Sequence, residues 1–411
     1  MPSVLKPSMK LLYEGSVKKL WEDSNNPDKL YFEFTDDYSI FDWGKMPDQI
    51  VNKGLSLTIL GAYFFKKLES SAFWKELKKD SCFDSFDKQW LDERFSSKDY
   101  LSLEKDGLKH HFKGLTGETG SIELSALEKT TNPGTALYLE VLKAQVFNPK
   151  EEKIDGKKIY FYPESYQSTT GKRLIPLEVV FRFGMPQGSS LKKRLKEKPD
   201  YYRELGLREE PQEGDLFERP VLEFFTKLEA TDRFLSFQEA QEISRLSPLS
   251  FNSMVETTFA VALALYNIFN SKGIALFDGK FEFIIVDEDK SKGEPQVLLA
   301  DSIGPDELRL VYKGHHLSKE FLRQYYKNSD WAHALERSKK EARENPSINF
   351  KEYCSSELNQ NPEKIKPEDK KTIDLLYPAI VNTLTEEAFF KEAPTLEVLV
   401  DSLSKIIEER K

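Results

Sequence analysis

The segment from Ala275 to Phe283, with the sequence ALFDGKFEF, alternates charged side chains with apolar or small ones. Successive side chains of a β-strand point to opposite faces, so Asp278, Lys280 and Glu282 share one face. The other face carries only phenylalanine and glycine, at Phe277, Gly279, Phe281 and Phe283. The pattern therefore predicts a strand with one buried face and one charged face.

The polar stretch 287–295 predicts a turn that reverses the chain into a second strand, QVLLA. An antiparallel hairpin would bring Asp301 within about a residue of register with Glu282. Two close carboxylates repel unless a cation lies between them, and Mg²⁺ typically takes one or two carboxylates together with phosphates and water. The alternative is a solvated hairpin face with an ordinary Lys/Glu pair, worth less than about 1 kcal/mol.

Length and composition limit the class of protein. The chain has 411 residues, which predicts one large domain or two of medium size. A net charge of -9 argues against a general binder of nucleic acid or anionic membranes, although a local basic pocket for phosphates stays open. The two cysteines lie far apart, so neither a disulfide framework nor a zinc site is indicated. Because no stretch reaches the apolar length of a membrane span, we expect a soluble cytoplasmic protein.

Hydrophobic periodicity divides the chain into a strand-rich first part and a mixed second part. The first part begins with a hairpin from Leu11 to Phe34 that carries Gly15 in its first arm, followed by an amphipathic helix over 55–79. Residues 80–135 have no clear hydrophobic period and are interpreted as an irregular insertion. Residues 186–219 are polar and charged and are interpreted as a loop-rich segment.

In the second part, Ser236 and Glu239 form a capping-box pattern before a long apolar helix that ends near Gly273. From Ser318 onward the pattern is mostly helical. Two lobes are predicted, 1–176 and 177–411.

Two other segments contain candidate ligand-binding residues. EGSVKK is a glycine-containing turn whose lysine could cover phosphates, but a lysine such as Lys18 is more often a solvated strand lysine. Arg182 ends the apolar strand LEVVFR, where an arginine pairs with an acid or with a ligand. A structural partner such as Glu178 or Glu223 is the alternative. The five histidines lack metal-site spacing and are interpreted as exposed loop residues.

Taken in order, these segments resemble the SAICAR synthetase family, purine-pathway ligases that join aspartate to a carboxyaminoimidazole ribonucleotide using ATP. The strongest similarity is in the charged strand, where D-x-K-x-E-F is followed by a hairpin, an aspartate and P-D-x-x-R. Matching positions occur in five segments: Gly15 and Lys18; Asp36, Ser39 and Asp42; Arg182 and Ser189; Lys227 and Asp232; and Asp278, Lys280, Glu282, Asp301 and Arg309. Ser16, Ser302, Gly304 and Val311 depart from the usual family residues.

The resemblance implies an α+β fold, SAICAR synthase-like or ATP-grasp-like, with two lobes, antiparallel sheets and a helical C-terminal region. The lobe of residues 1–176 would bind the nucleotide, and the lobe of residues 177–411 would bind substrate and metal. The implied reaction joins L-aspartate to 5-amino-1-(5-phosphoribosyl)imidazole-4-carboxylate through an acyl phosphate, giving SAICAR, ADP and phosphate. ATP and Mg²⁺ are the implied cofactors, and the partners are small molecules rather than nucleic acid or membrane.

The resemblance also assigns roles to individual residues. Lys280 and Asp278 would be catalytic, and Glu282 and Asp301 would bind the metal. Gly15, Lys18 and Lys227 would bind the nucleotide. The substrate-binding positions would be Asp36, Ser39, Asp42, Arg182, Ser189, Asp232 and Arg309. Two alternatives stay open: a small-molecule kinase with the same nucleotide cleft, and a diverged nucleotide-binding member without ligase activity.

Overall fold

The computed structural model describes residues 9–117, 120–129, 136–155, 157–163, 171–287, 295–345 and 347–410. The chain forms two compact units, each assembled from separate segments. The first contains Met1–Ala62, Gly114–Glu140 and Val311–Lys411, and the second contains Tyr63–Lys113 and Val141–Leu310. These bounds differ from the predicted lobes 1–176 and 177–411, because the chain passes between the units several times.

Runs of strands and runs of helices follow one another along the chain. The strands are β1 (Met9–Glu14), β2 (Lys18–Asp23), β3 (Lys29–Phe34), β4 (Phe112–Gly117), β5 (Gly120–Ile122), β6 (Leu137–Leu142), β7 (Lys150–Ile154), β8 (Lys157–Phe161), β9 (Gly171–Leu174), β10 (Leu177–Gly184), β11 (Leu216–Thr226), β12 (Phe234–Leu235), β13 (Ile274–Asp287), β14 (Gln296–Ala300), β15 (Leu308–Tyr312) and β16 (His315–His316). The α-helices are α1 (Lys53–Leu68), α2 (Ser71–Leu77), α3 (Lys88–Phe95), α4 (Lys98–Asp106), α5 (Leu191–Glu197), α6 (Tyr201–Glu204), α7 (Phe237–Ser244), α8 (Pro248–Asn270), α9 (Ser318–Tyr326), α10 (Asp330–Glu344), α11 (Phe350–Glu352), α12 (Pro367–Ile373), α13 (Leu376–Thr385) and α14 (Leu396–Glu408).

Shorter helical turns cover Ser81–Phe83, Leu124–Lys129 and Tyr353–Glu357. No helix in the described part of the chain is long and apolar enough to cross a lipid bilayer.

The first unit combines a sheet with the C-terminal helices. The sheet has the strand order β1-β2-β3-β6-β4-β5, and β1, β2 and β3 pair antiparallel. Gly15 lies at the turn between β1 and β2, where its N–H donates to the carbonyl of Lys18 at 2.9 Å, so the predicted first arm is two strands rather than one. The helices α9 to α14 confirm the predicted helical C-terminal region and bury aromatic side chains such as Trp331 and Tyr377.

The second unit is built on an antiparallel sheet in which β13 is central. The strands follow the order β12-β11-β10-β13-β15, and β9 and β14 also pair with β13. Helix α8 packs against β13, and its apolar side chains, including Phe251, Met254 and Leu265, are buried. The capping box at Ser236 and Glu239 is present at the start of α7, as predicted.

The charged strand forms as its period-2 pattern predicts. β13 pairs with β14 in a register that places Ala300 opposite Glu282, so Asp301 lies one residue beyond, as expected. The turn over 288–294 lies outside the described residues. Phe281 and Phe283 are buried, but so are Asp278 and Glu282. The alternative of a solvated charged face is therefore wrong, and these carboxylates need buried partners.

Three predictions of secondary structure are corrected. Residues 80–135 are not wholly irregular, because α3 and α4 form there with side-chain N-caps from Asp87 and Ser97, and β4 and β5 follow. The helix predicted over 55–79 is interrupted: Ser70 adopts an extended conformation and caps α2 by accepting from the N–H of Phe73. The stretch 186–219 also contains the short helices α5 and α6.

Candidate active site

Five charged residues of the second unit form what we call the lysine–carboxylate cluster: Glu178, Lys227, Lys280, Glu282 and Asp301. Glu178 lies on β10, Lys280 and Glu282 lie on β13, Lys227 follows β11, and Asp301 follows β14. The Nζ of Lys280 lies 2.5 Å from Oε1 of Glu178, and the Nζ of Lys227 lies 3.4 Å from the same oxygen. Lys227 also donates to Glu282. Neighbouring strands thus bring residues from distant parts of the sequence together.

The carboxylates keep both lysines charged. Burial alone would lower the pKa of Lys227, but the negative charges of Glu282, Asp301 and Glu178 outweigh it and raise that pKa above the usual lysine range. Burial likewise opposes the charge of Lys280, and Glu178 and Glu282 reverse its effect, so the pKa of Lys280 is raised. Burial would raise the pKa of Glu178, but the two lysines lower it. At neutral pH the cluster therefore presents two ammonium groups among three carboxylates.

The oxygen donors of this cluster fit a magnesium ion. Glu282 is buried on β13, Asp301 immediately follows Ala300, which lies opposite Glu282 on β14, and the charges of both carboxylates act on Lys227. Within the described ranges no group of three or more His, Cys, Asp or Glu side chains is arranged to hold a metal. Two carboxylates are too few to enclose an ion, but magnesium typically takes one or two protein carboxylates and completes its coordination with phosphates and water.

A second group, the arginine–carboxylate network, comprises Arg182, Glu223 and Asp278 of the same sheet together with Arg194 of α5 and Tyr201 of α6. Arg182 Nε donates to Glu223 at 2.6 Å and Nη1 donates to Asp278 at 2.9 Å. Glu223 also accepts from Arg194 Nε at 2.5 Å and from the Tyr201 hydroxyl at 3.0 Å. Burial acts to raise the pKa of Glu223, but the two arginines lower it. The acid partner proposed for Arg182 from the sequence is therefore Glu223, joined by Asp278.

Arg309 extends this network and has unused donors. Its Nε lies 3.6 Å from Oδ1 of Asp278, too far for a hydrogen bond. Within the described part of the chain, its buried Nε and Nη1 have no hydrogen-bond partner. Ser189 is buried as well, and its hydroxyl accepts from the N–H of Leu191 at 3.3 Å. A guanidinium with buried and unsatisfied N–H groups is suited to an anionic ligand such as a phosphate.

The predicted site residues of the first unit have different surroundings. Asp36 accepts from the N–H groups of Asn52 and Gly54, at 3.2 and 2.9 Å, and so caps the start of α1. Asp42 is exposed and pairs with Lys339 at 2.6 Å. The Nζ of Lys18 lies 4.6 Å from the ring centre of Phe32.

Ser39 is half-buried, and Asp232 of the second unit is exposed. Asp36 and Asp42 therefore contact different groups, the start of α1 and Lys339 respectively.

Three further polar residues, Glu223, His110 and His111, are buried in the structure. From the sequence, Glu223 is predicted only as a possible partner for Arg182. A charged residue inside the apolar stretch VLEFF is nevertheless the same kind of pattern as the charges inside the apolar run of β13. The interpretation of His110 and His111 as exposed loop residues is wrong, because 5% and 2% of their surfaces are accessible. Their sequence neighbourhood, LKHHFKG, contains no pattern that would have predicted this burial.

Comparisons with known proteins agree with the geometry. The family model for SAICAR synthetase matches residues 11–95 and 124–338. A protein of Archaeoglobus fulgidus, provisionally named a phosphoribosylaminoimidazole-succinocarboxamide synthase, is 30% identical over 399 residues, which is 96% of this chain and all of the relative. The enzyme of that name from Thermoplasma volcanium is 27% identical over 78% of this chain and 84% of its own.

Among solved structures, SAICAR synthase from Saccharomyces cerevisiae in complex with SAICAR has a TM-score of 0.53 and 21% identity, covering 93% of this chain and 98% of the yeast chain. This last similarity concerns the fold alone. The family match, which spans most of the chain, agrees with the ordered motifs of the sequence. The chain therefore belongs to the SAICAR synthetase family of ATP-dependent carbon–nitrogen ligases.

Proposed function

We propose that this chain joins L-aspartate to 5-amino-1-(5-phosphoribosyl)imidazole-4-carboxylate at the expense of ATP, giving SAICAR, ADP and phosphate. The observation that carries the proposal is the lysine–carboxylate cluster, in which Lys227 and Lys280 are held charged by Glu178, Glu282 and Asp301. Such a cluster suits the transfer of a phosphoryl group, whose charge must be offset by cations in a fixed arrangement.

The chemistry explains why ATP is needed. A carboxylate does not react with an amine at neutral pH, because its oxygen is a poor leaving group. In the proposed sequence a carboxylate oxygen of the ribotide attacks the γ-phosphorus of ATP, and ADP leaves. The aspartate amine then attacks the acyl carbon of the resulting acyl phosphate, and phosphate leaves with that oxygen while the nitrogen loses a proton. Lys280 would face the reacting carboxylate, and Lys227 would lie beside the nucleotide phosphates.

Glu282 and Asp301 would hold magnesium together with oxygens of the nucleotide. When bound, the ion supplies Lewis-acid neutralisation of phosphate charge. Arg182, Ser189 and Arg309 would bind the phosphate and neighbouring acids of the ribotide, supported by the unused donors of Arg309. Asp278 contacts Arg182 and lies beside Arg309, so we propose that it acts by orienting these guanidinium groups.

The remaining roles concern residues outside the lysine–carboxylate cluster. Gly15 and Lys18 would bind the nucleotide, consistent with the tight turn at Gly15. Asp36, Ser39 and Asp42 would form a loop near the aspartate subsite, with Asp36 acting through its cap on α1. Asp232 would contact substrate from its exposed position.

An assay of ADP release tests the proposal. Purified protein with ATP and Mg²⁺ is assayed in four arms: with aspartate, with the ribotide, with both, and with neither. The proposal predicts rapid ADP release and formation of SAICAR only when both are present. Rapid ADP release that does not require aspartate would overturn it in favour of the small-molecule kinase, an alternative that the family assignment argues against. Binding of ATP without turnover in any arm would overturn it in favour of a non-catalytic nucleotide-binding protein.

A further inference from the structure

His111 connects a distant segment of the second unit to the lysine–carboxylate cluster. It is 2% exposed and precedes β4. Its backbone is fixed on both sides, because its N–H donates to the carbonyl of Leu299 at 2.9 Å and its carbonyl accepts from the N–H of Leu142 at 2.8 Å. The imidazole Nε2 lies 2.7 Å from the backbone carbonyl oxygen of Asp301.

The chemistry of this contact determines which ring nitrogen of His111 carries hydrogen. A backbone carbonyl can only accept a hydrogen bond, so the Nε2 of His111 must carry hydrogen and donate. The ring is held in place by packing against Phe65, with ring centres 5.5 Å apart. The contact is thus a directed hydrogen bond from a fixed side chain to one peptide group.

That peptide group belongs to a residue with an unusual backbone. Asp301 has a φ of +59°, in the left-handed region that residues with a Cβ atom seldom occupy. It immediately follows Ala300, the last residue of β14 and the cross-strand partner of Glu282. The left-handed turn therefore determines where the Asp301 carboxylate points as the chain leaves the sheet. The charge of that carboxylate acts on Lys227, which contacts Glu282.

We propose that His111 is a positioning residue, which through its Nε2–H···O bond holds Asp301 in the left-handed conformation and so presents the Asp301 carboxylate beside Glu282 for magnesium. This role rests on the proposed function, because it presupposes that Asp301 is a metal ligand. Groups that orient a ligand without touching the metal typically change metal affinity by about 10- to 100-fold.

The test compares three variants of the full-length protein. His111→Leu removes the donor at similar volume, and His111→Gln keeps an N–H donor near the position of Nε2. His110→Leu is the matched control, because His110 is an adjacent buried histidine whose Nε2 lies 3.2 Å from the carbonyl of Phe65 instead. Binding of Mn²⁺ in the presence of a non-hydrolysable ATP analogue is measured by electron paramagnetic resonance, together with the thermal midpoint of each variant.

We expect His111→Leu to weaken Mn²⁺ binding about 10- to 100-fold, His111→Gln to restore most of it, and His110→Leu to leave it unchanged even where it lowers the thermal midpoint. Equal Mn²⁺ affinity in the two leucine variants would overturn the role of His111. A wild-type protein that binds no Mn²⁺ with the analogue would instead overturn the proposed function, and this role with it.

A second measurement is made on the wild-type protein itself. The ¹⁵N chemical shifts of labelled histidine in the metal-free wild-type protein report which ring nitrogen carries hydrogen. We expect hydrogen on Nε2 of His111, with His111→Gln used to assign the signal. A neutral ring protonated only on Nδ1 would exclude the hydrogen bond to Asp301 and overturn the inference.

Discussion

Replacing Glu223 by glutamine should destabilise the second unit strongly. The carboxylate is 1% exposed and accepts from Arg182 at 2.6 Å, from Arg194 at 2.5 Å and from the Tyr201 hydroxyl at 3.0 Å. Glutamine has nearly the same shape, but it carries no charge and turns an NH₂ donor toward groups that are themselves donors. Arg182 keeps Asp278 as a partner, whereas Arg194 loses the carboxylate that it contacts.

The size of the effect follows from the burial of these charges. Removing one partner of a buried ion pair typically costs about 3–5 kcal/mol. For a folded unit of about 220 residues, each 1 kcal/mol lowers the thermal midpoint by roughly 2–4 °C. Glu223→Gln is therefore expected to lower the midpoint of the second unit by about 6–20 °C in scanning calorimetry.

Glu218→Gln provides the matched control, because Glu218 lies on the same strand and pairs with Arg208 at 3.1 Å while its side chain is 58% exposed. An exposed ion pair contributes little, so the midpoint should change by less than about 4 °C. If Glu223→Gln lowers the midpoint no more than Glu218→Gln does, the stabilising role assigned to the buried network is wrong.

Two further predictions concern acid stability and close packing. The pKa of Glu178 is lowered in the folded protein, so its stabilising contribution is complete above the ordinary value of 4.5 and is lost as pH falls through the lower folded value. Glu178→Gln should therefore lose less stability between pH 6 and pH 3 than the wild type in urea unfolding, and parallel curves would contradict this. A Cβ atom at Gly54 would lie 2.2 Å from the carbonyl oxygen of Phe34, whereas one at Gly114 would meet nothing within 4 Å. Gly54→Ala should cost about 1–3 kcal/mol of unfolding free energy and Gly114→Ala much less, and equal losses would refute the packing explanation.

The charged strand was predictable because period 2 is a local property of the sequence. The alternation of charged and apolar residues around Lys280 predicted both the strand and which side chains share a face. The register with β14 followed from the short segment between Glu282 and Asp301. The capping box at Ser236 was equally local. The burial of Asp278 was not predictable from the segment, because it depends on Arg182 of another strand.

Other features depend on contacts between residues far apart in the sequence. Helices α3 and α4, which are capped by Asp87 and Ser97, were not predicted because short helices show too few turns for a clear period. The burial of His111 depends on Leu299 and Leu142, which adjoin it only in the folded chain. Similarity to the family, rather than hydrophobic periodicity, predicted that Lys227, Lys280, Glu282 and Asp301 belong to one active site.

Magnesium-dependent turnover of Glu282→Gln tests the central claim most directly. In this variant Lys227 keeps Glu178 at 3.4 Å but loses its buried pair with Glu282, so the thermal midpoint should fall by more than that of Glu218→Gln, and activity is compared well below the midpoint of the variant. The variant should release ADP in the presence of aspartate and the ribotide about 10²- to 10³-fold more slowly than the wild type, because one of the two proposed metal carboxylates is lost. Full activity in a folded Glu282→Gln protein would contradict the assignment of the lysine–carboxylate cluster as the active site.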